Sequence, residues 1–255
     1  MKNKQKWLSA SILLLTALLC VLRSICMMND YLPKLGYFDT SVLVITTKIL
    51  FTITIVLCFT APFLNDKQQE VDYFATTGHT VFSMFAGFLM IISGIGAILN
   101  ATNTKPITLL LGLFTIAGSV FFFTEPLRSR KAERPRAYFS FSVLALLFCI
   151  LFHIYFDMYV AINSPLKISL QLCLLGSMIY SLALIRRAIG KPASRIDVGA
   201  ELACAALCLP TSVSHLIYAM FGNPSILMQN VLSPFVSLPL FALGAFAASR
   251  VIFKK

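Results

Sequence analysis

The chain has 255 residues, of which 58% are hydrophobic and 12% charged, with 22 phenylalanines and a formal net charge of +11. Its mean hydropathy of +0.84 excludes an ordinary water-soluble domain, which could not enclose so much apolar surface in one core. The positive charge does not indicate nucleic acid, because the lysines and arginines stand at the ends of apolar stretches and not in a basic groove interleaved with stacking aromatics.

A hydrocarbon core about 30 Å thick needs about 20 helical residues to cross it. Eight apolar stretches of this kind follow one another, at 7–22, 41–64, 76–99, 107–124, 138–162, 166–185, 198–221 and 227–253. Pro33, Pro106, Pro126, Pro135, Pro165, Pro192 and Pro224 punctuate the connectors, where a missing amide does no harm. The expected fold is therefore all-α: a polytopic transmembrane helical bundle of about eight spans, forming one integral membrane domain over 1–255. Ser9, Ser11, Leu13 and Leu15 match Ser140, Ser142, Leu144 and Leu146 at a constant shift, a faint sign of a four-plus-four repeat, 1–127 and 128–255. The first stretch follows Lys2, Lys4 and Lys6 like a signal peptide, but Leu19 before Cys20 does not suit a lipoprotein cleavage site, so it is read as a retained first helix.

Basic residues are retained in cytoplasmic connectors. Sixteen lie on the side of the termini, against four on the other side, Arg23, Lys34, Lys105 and Lys167. Both termini are expected to be cytoplasmic and the protein to reside in the plasma membrane. The densest basic segment, with Arg128, Arg130, Lys131, Arg134 and Arg136, is a cytoplasmic loop able to bind a partner protein or anionic headgroups.

The polar residues inside the spans carry the functional reading, since an ionisable group at the bilayer centre costs about 2.5–3.5 kcal/mol and should face a cavity or a partner. Lys48 in the second span, His153 and Asp157 in the fifth, Gln171 in the sixth and His215 in the seventh all fall in the half of the bilayer away from the termini. Ser142, Cys149, His153 and Asp157 share a helical face, with the carboxylate one turn from the imidazole. His79, Glu125 and Glu201 fall near the opposite boundary. Pro210 frees the carbonyl of Ala206 and is expected to kink the seventh helix as a hinge, with Thr211, Ser212 and Ser214 available to that carbonyl. Small residues four apart, Ser83 and Gly87, Gly199 and Ala203, Gly244 and Ala248, mark faces for close helix approach. The seven cysteines show no CxxC spacing and are read as small packing residues.

No HExxH, GxxxxGK[ST] or GxSxG occurs, so no enzyme, metal site or cofactor is expected. The expected function is that of a small-solute permease or binding component with an outward-facing polar pocket of Lys48, His153, Asp157, Gln171 and His215, in which Lys48 attracts a small polar or anionic solute. The competing expectation is a non-transporting accessory or sensor protein acting through the basic loop.

Overall fold

In the computed structural model, residues 2–32, 36–64, 77–101, 106–126, 133–157, 160–189, 195–222 and 233–253 are described. They form eight α-helices, all long and apolar enough to cross a membrane. These are α1 (Lys2–Asn29), α2 (Val42–Thr60), α3 (Thr77–Ala101), α4 (Pro106–Thr124), α5 (Glu133–Tyr155), α6 (Pro165–Ala188), α7 (Arg195–Phe221) and α8 (Pro234–Ile252). The chain is a polytopic membrane protein of the all-α class, in contact with the lipid bilayer.

Local chemistry sets several helix ends. Ser41, Ser164 and Ser233 stand at the N-caps of α2, α6 and α8, each accepting a hydrogen bond from an amide of the first turn, and Pro165 and Pro234 occupy the next position, where no amide is required. α1 continues seven residues past its expected end because no glycine or proline interrupts it before Asp30. That extension carries Arg23 from a connector into a membrane span. α5 stops at Tyr155, earlier than expected, and leaves Asp157 beyond the helix. A carboxylate in the last turn would face the negative end of the helix dipole.

α7, α8, α3, α4, α5 and α6 pack successively as a ring that closes from α6 back to α7, with α6 also touching α8 across it. α1 lies against α7, and α2 against α1 and α7, so α2 is the least enclosed helix and α8 the most. Phe246 anchors the centre: its ring meets Phe121, Phe122, Tyr180 and His79 at centroid separations of 5.0–6.4 Å. The small-residue faces are interior. Gly87 abuts Phe123 of α4, Gly199 abuts Pro62 in the single 3-10 turn after α2 (Ala61–Leu64), and Gly244 abuts Cys208 and Leu209 of α7. The closest backbone approach joins α3 to α4 through Gly94 and Gly112.

Between α1 and α2 the chain makes a short antiparallel hairpin, β1 (Tyr31–Leu32) with β2 (Tyr37–Phe38), pairing Tyr31 with Phe38 and Leu32 with Tyr37. Gly36, at φ 71°, sits so close to Val160 and Ser164 that a side chain there would collide with both. The hairpin thus seals the α5–α6 connector. This end of the bundle is called the hairpin face and the other, where α8 ends, the terminal face.

Candidate functional site

Polar groups collect in two layers, one toward each face. In the terminal layer the largely buried guanidiniums among the described residues stand against carboxylates. Arg187, in the last turn of α6, donates from Nε to Asp197 Oδ2 at 3.0 Å and from Nη1 to Glu201 Oε1 at 2.7 Å. Arg250 of α8 lies 3.5 Å from the same Glu201 oxygen and 3.7 Å from Glu125 Oε1, just past the end of α4. His79 Nδ1 is 3.0 Å from Ser249 Oγ, joining α3 to α8. Local backbone fields favour the arrangement, since a cation at the end of α6 and a carboxylate in the first turn of α7 each face the opposite end of a helix dipole. Glu125, Glu201 and His79 are three residues the sequence places at this boundary. Arg187 and Arg250, read from sequence only as orientation signals, are their partners or neighbours here.

The hairpin layer is different. Arg23 points inward from α1: its Nη2 donates to Ser169 Oγ of α6 at 2.5 Å, and its guanidinium stands 5.7 Å from the centre of the Phe51 ring of α2. Its buried Nε has no hydrogen-bond partner, and no carboxylate among the described residues reaches it at ion-pair distance. The guanidinium is near enough to act electrostatically on His215 of α7. His215 is fully buried, and neither of its ring nitrogens has a hydrogen-bond partner among the described residues. Thr211, one turn earlier, carries a buried hydroxyl in the same state.

Arg23, Thr47, Lys48, Phe51, Ser169 and Leu172 line a groove of about 380 Å³ between α1, α2 and α6. The floor is held by Cys26 against Thr47, 3.5 Å apart, which fixes α1 to α2. Lys48 is exposed at the rim, one turn from Thr52 on the same face.

Two expected site residues therefore flank Arg23: Lys48 shares the groove with it and His215 lies within its field. His153 and Asp157 lie elsewhere. His153 is buried in the last turn of α5 and Asp157 in the connector that follows, where the main-chain oxygen of Asp157 accepts a 2.5 Å hydrogen bond from Lys167 Nζ. Tyr31 of the hairpin packs edge-on against Tyr218 at 5.4 Å. Burial, reinforced by Tyr218 and Asp157, pushes the Tyr31 phenol above its ordinary range, so it stays protonated at neutral pH. Gln171 is half-buried on α6 and does not line the groove. α2 packs on α1 and α7 while α5 packs on α4 and α6, so the five residues are distributed over two neighbourhoods. The residues missing from the sequence reading are Arg23 as an interior group and Ser169 as its partner. The uninterrupted helical stretch up to Asp30 is the signal for the first.

Lys167 is 1% exposed, and its amine completes the α5–α6 connector. Replacing it with Met leaves the buried Asp157 carbonyl without this donor, and a loss of about 1–3 kcal/mol is expected in denaturant melts of the purified protein. A change within experimental error would mean that another donor takes over.

α7 runs through Pro210 as one continuous helix. The nearby hydroxyls serve other carbonyls than that of Ala206: Ser212 donates to Cys208 O at 2.5 Å and Ser214 to Thr211 O at 3.0 Å. Cys173, Cys204 and Cys208 meet around Ser177, with Cys208 Sγ 3.1 Å from Cys173 Sγ and 2.9 Å from Ser177 Oγ, a compact knot joining α6 to α7. All seven cysteines are free thiols. Among the described residues no group of three or more His, Cys, Asp or Glu side chains is placed to hold a metal ion. Of the basic loop, Arg128, Arg130 and Lys131 lie outside the described residues, and Arg134 and Arg136 are described only as backbone of α5. Comparison with protein-family profiles, with curated proteins and with solved structures gives no match to the chain.

Proposed function

We propose that the protein is a permease or binding component of the plasma membrane, with both termini cytoplasmic, and that its ligand is an organic anion held in the hairpin-side half. One observation carries the reading: Arg23 holds a guanidinium inside a membrane span with no carboxylate at ion-pair distance among the described residues. An uncompensated cation in such a place is costly, and in the terminal layer the largely buried guanidiniums of Arg187 and Arg250 are both set against carboxylates. An anion in the groove supplies the missing countercharge. It accepts hydrogen bonds from the guanidinium, gains a second cation from Lys48 at the rim, and finds an apolar wall in Phe51 and Leu172. His215, within the electrostatic reach of Arg23 but outside the groove lining, offers a further donor or acceptor to water. Pro210, five residues before His215, removes one backbone hydrogen bond from α7 and serves as the hinge for movement of that helix.

Arg23→Gln keeps a polar side chain and removes the charge. Thermal melts of the purified protein are expected to show stabilisation by short-chain carboxylates or organic phosphates, absent with uncharged analogues. In the variant the apparent affinity should fall about 10- to 100-fold, the effect of losing a charge-assisted hydrogen bond. Lys48→Gln should have a smaller effect because its ammonium stands at the exposed rim of the groove. Equal stabilisation by charged and uncharged analogues, or an unaltered response in Arg23→Gln, would sink the proposal. Uptake into proteoliposomes separates a permease from a component that only binds.

A further inference from the structure

We infer that the anion held by Arg23 and Lys48 is a phospholipid of net negative charge, which enters the groove sideways between α2 and α6; this rests on the assignment of the groove as the anion site.

The first argument is where the groove opens. Its rim is formed by exposed residues within two spans, Lys48 and Thr52 of α2 and Ile168 and Leu172 of α6, the last two 45% and 40% exposed. A surface at that position on a membrane-spanning helix faces lipid, so the neighbouring bilayer has direct access to the site.

Depth is the second argument. Arg23 lies six residues before the end of α1, Lys48 six residues after the start of α2 and Ser169 four after the start of α6. At about 1.5 Å per residue they stand about 6–9 Å inside the hairpin face. That is the boundary between headgroups and acyl chains, where a lipid phosphate resides. Arg23 nonetheless turns inward to Ser169 instead of extending outward to the headgroups, and the phosphate must follow it in.

The third argument is the surface below the charges. On α2, Val56 and Phe59 continue the face of Lys48 and Thr52, 54% and 63% exposed. On α6, Leu175 and Ile179 continue the face of Ile168 and Leu172, 56% and 40% exposed. Two apolar strips therefore descend from the cation pair through the bilayer centre. A hydrophilic anion has no use for them, whereas an acyl chain lies along them while its phosphate accepts from the guanidinium fork.

The test uses the full chain in nanodiscs of equal phosphatidylglycerol and phosphatidylcholine, with retained lipid counted by native mass spectrometry. The wild type is expected to keep phosphatidylglycerol in roughly 30-fold excess, the enrichment two cations near a net negative headgroup provide at about 1 kcal/mol each. An R23Q/K48Q double variant should lose the preference. Leu172→Trp, which fills the groove and leaves both charges, should lose it as well, so the result does not depend on one variant folding. Arg186→Gln, an exposed cation at the other face, should keep it. Equal retention of the two lipids by the wild type, or a preference that survives both groove variants, overturns the lipid assignment. Titrating glycerol phosphate into nanodiscs of phosphatidylcholine alone separates the two proposals. Stabilisation through Arg23 without phosphatidylglycerol retention removes the lipid and leaves the anion site standing, and no response to either probe removes both.

Discussion

Glu201→Gln is expected to cost about 3–5 kcal/mol of stability, because it breaks a buried ion network by removing one partner and leaves the others charged. Glu201 is 1% exposed, and a single oxygen of it faces two guanidiniums, Arg187 at 2.7 Å and Arg250 at 3.5 Å. Neutralising it leaves Arg187 with Asp197 and Arg250 with Glu125 only at 3.7 Å, so both guanidiniums lose the charged oxygen they share in an enclosed layer. The network joins the ends of α4, α6, α7 and α8, and its loss loosens the terminal face as a whole. Denaturant melts of Glu201→Gln, Arg187→Gln and the double variant form a cycle that isolates the pair from its surroundings. The double variant should be more stable than the sum of the single losses predicts, since each single variant already loses the contact of Arg187 with Glu201. A loss below about 1 kcal/mol for Glu201→Gln would place the network in the class of solvated surface pairs instead. On the permease reading proposed above the same network closes the terminal face, so the variant that loses stability should also leak solute through proteoliposomes.

Gly112→Leu is the second large effect, expected to exceed the usual 1–3 kcal/mol of an overpacked site. A Cβ at Gly112 would stand 2.8 Å from the Gly94 carbonyl oxygen and 2.6 Å from Ile98 Cγ1; one at Gly94 would stand 3.0 Å from the Gly112 carbonyl oxygen. The two glycines therefore face each other across α3 and α4, and what opposes a side chain is backbone, which cannot rotate away. Without a hydrophobic drive between helices in lipid, close van der Waals contact is what holds such a pair. Even Gly112→Ala should lower the melting temperature measurably. Gly118→Ala on the same helix is the control: its Cβ would meet no atom nearer than 3.6 Å, and it should be nearly neutral. Equal effects at Gly112 and Gly118 would mean that helix propensity and not packing governs these positions.

The particular residues divide sharply between what sequence can and cannot tell. Lys48, His215, Glu201 and Glu125 were all legible as polar exceptions within or beside apolar stretches, and their depth was legible from the count of residues along each helix. Their partners were not. His153 and Asp157 share a face in an ideal helix, but α5 ends between them, and Lys167 takes the Asp157 carbonyl from the next span. Arg23 was displaced in the opposite sense, drawn into the membrane because α1 does not stop where its most apolar stretch does.

By itself the sequence determined the solvent of this protein, the number of its spans and the level at which each costly polar group lies. These follow from hydropathy and from a fixed rise per residue, both properties of one segment at a time. Only the tertiary structure decided which helices meet. The reciprocal approach of Gly94 and Gly112, the ring closed by α6 and α7, the shared contact of Arg187 and Arg250 with Glu201, and the meeting of Arg23, Lys48 and Ser169 are all products of it. Helical periodicity gives each residue a face, but the neighbour across that face is chosen by the packing of the whole bundle.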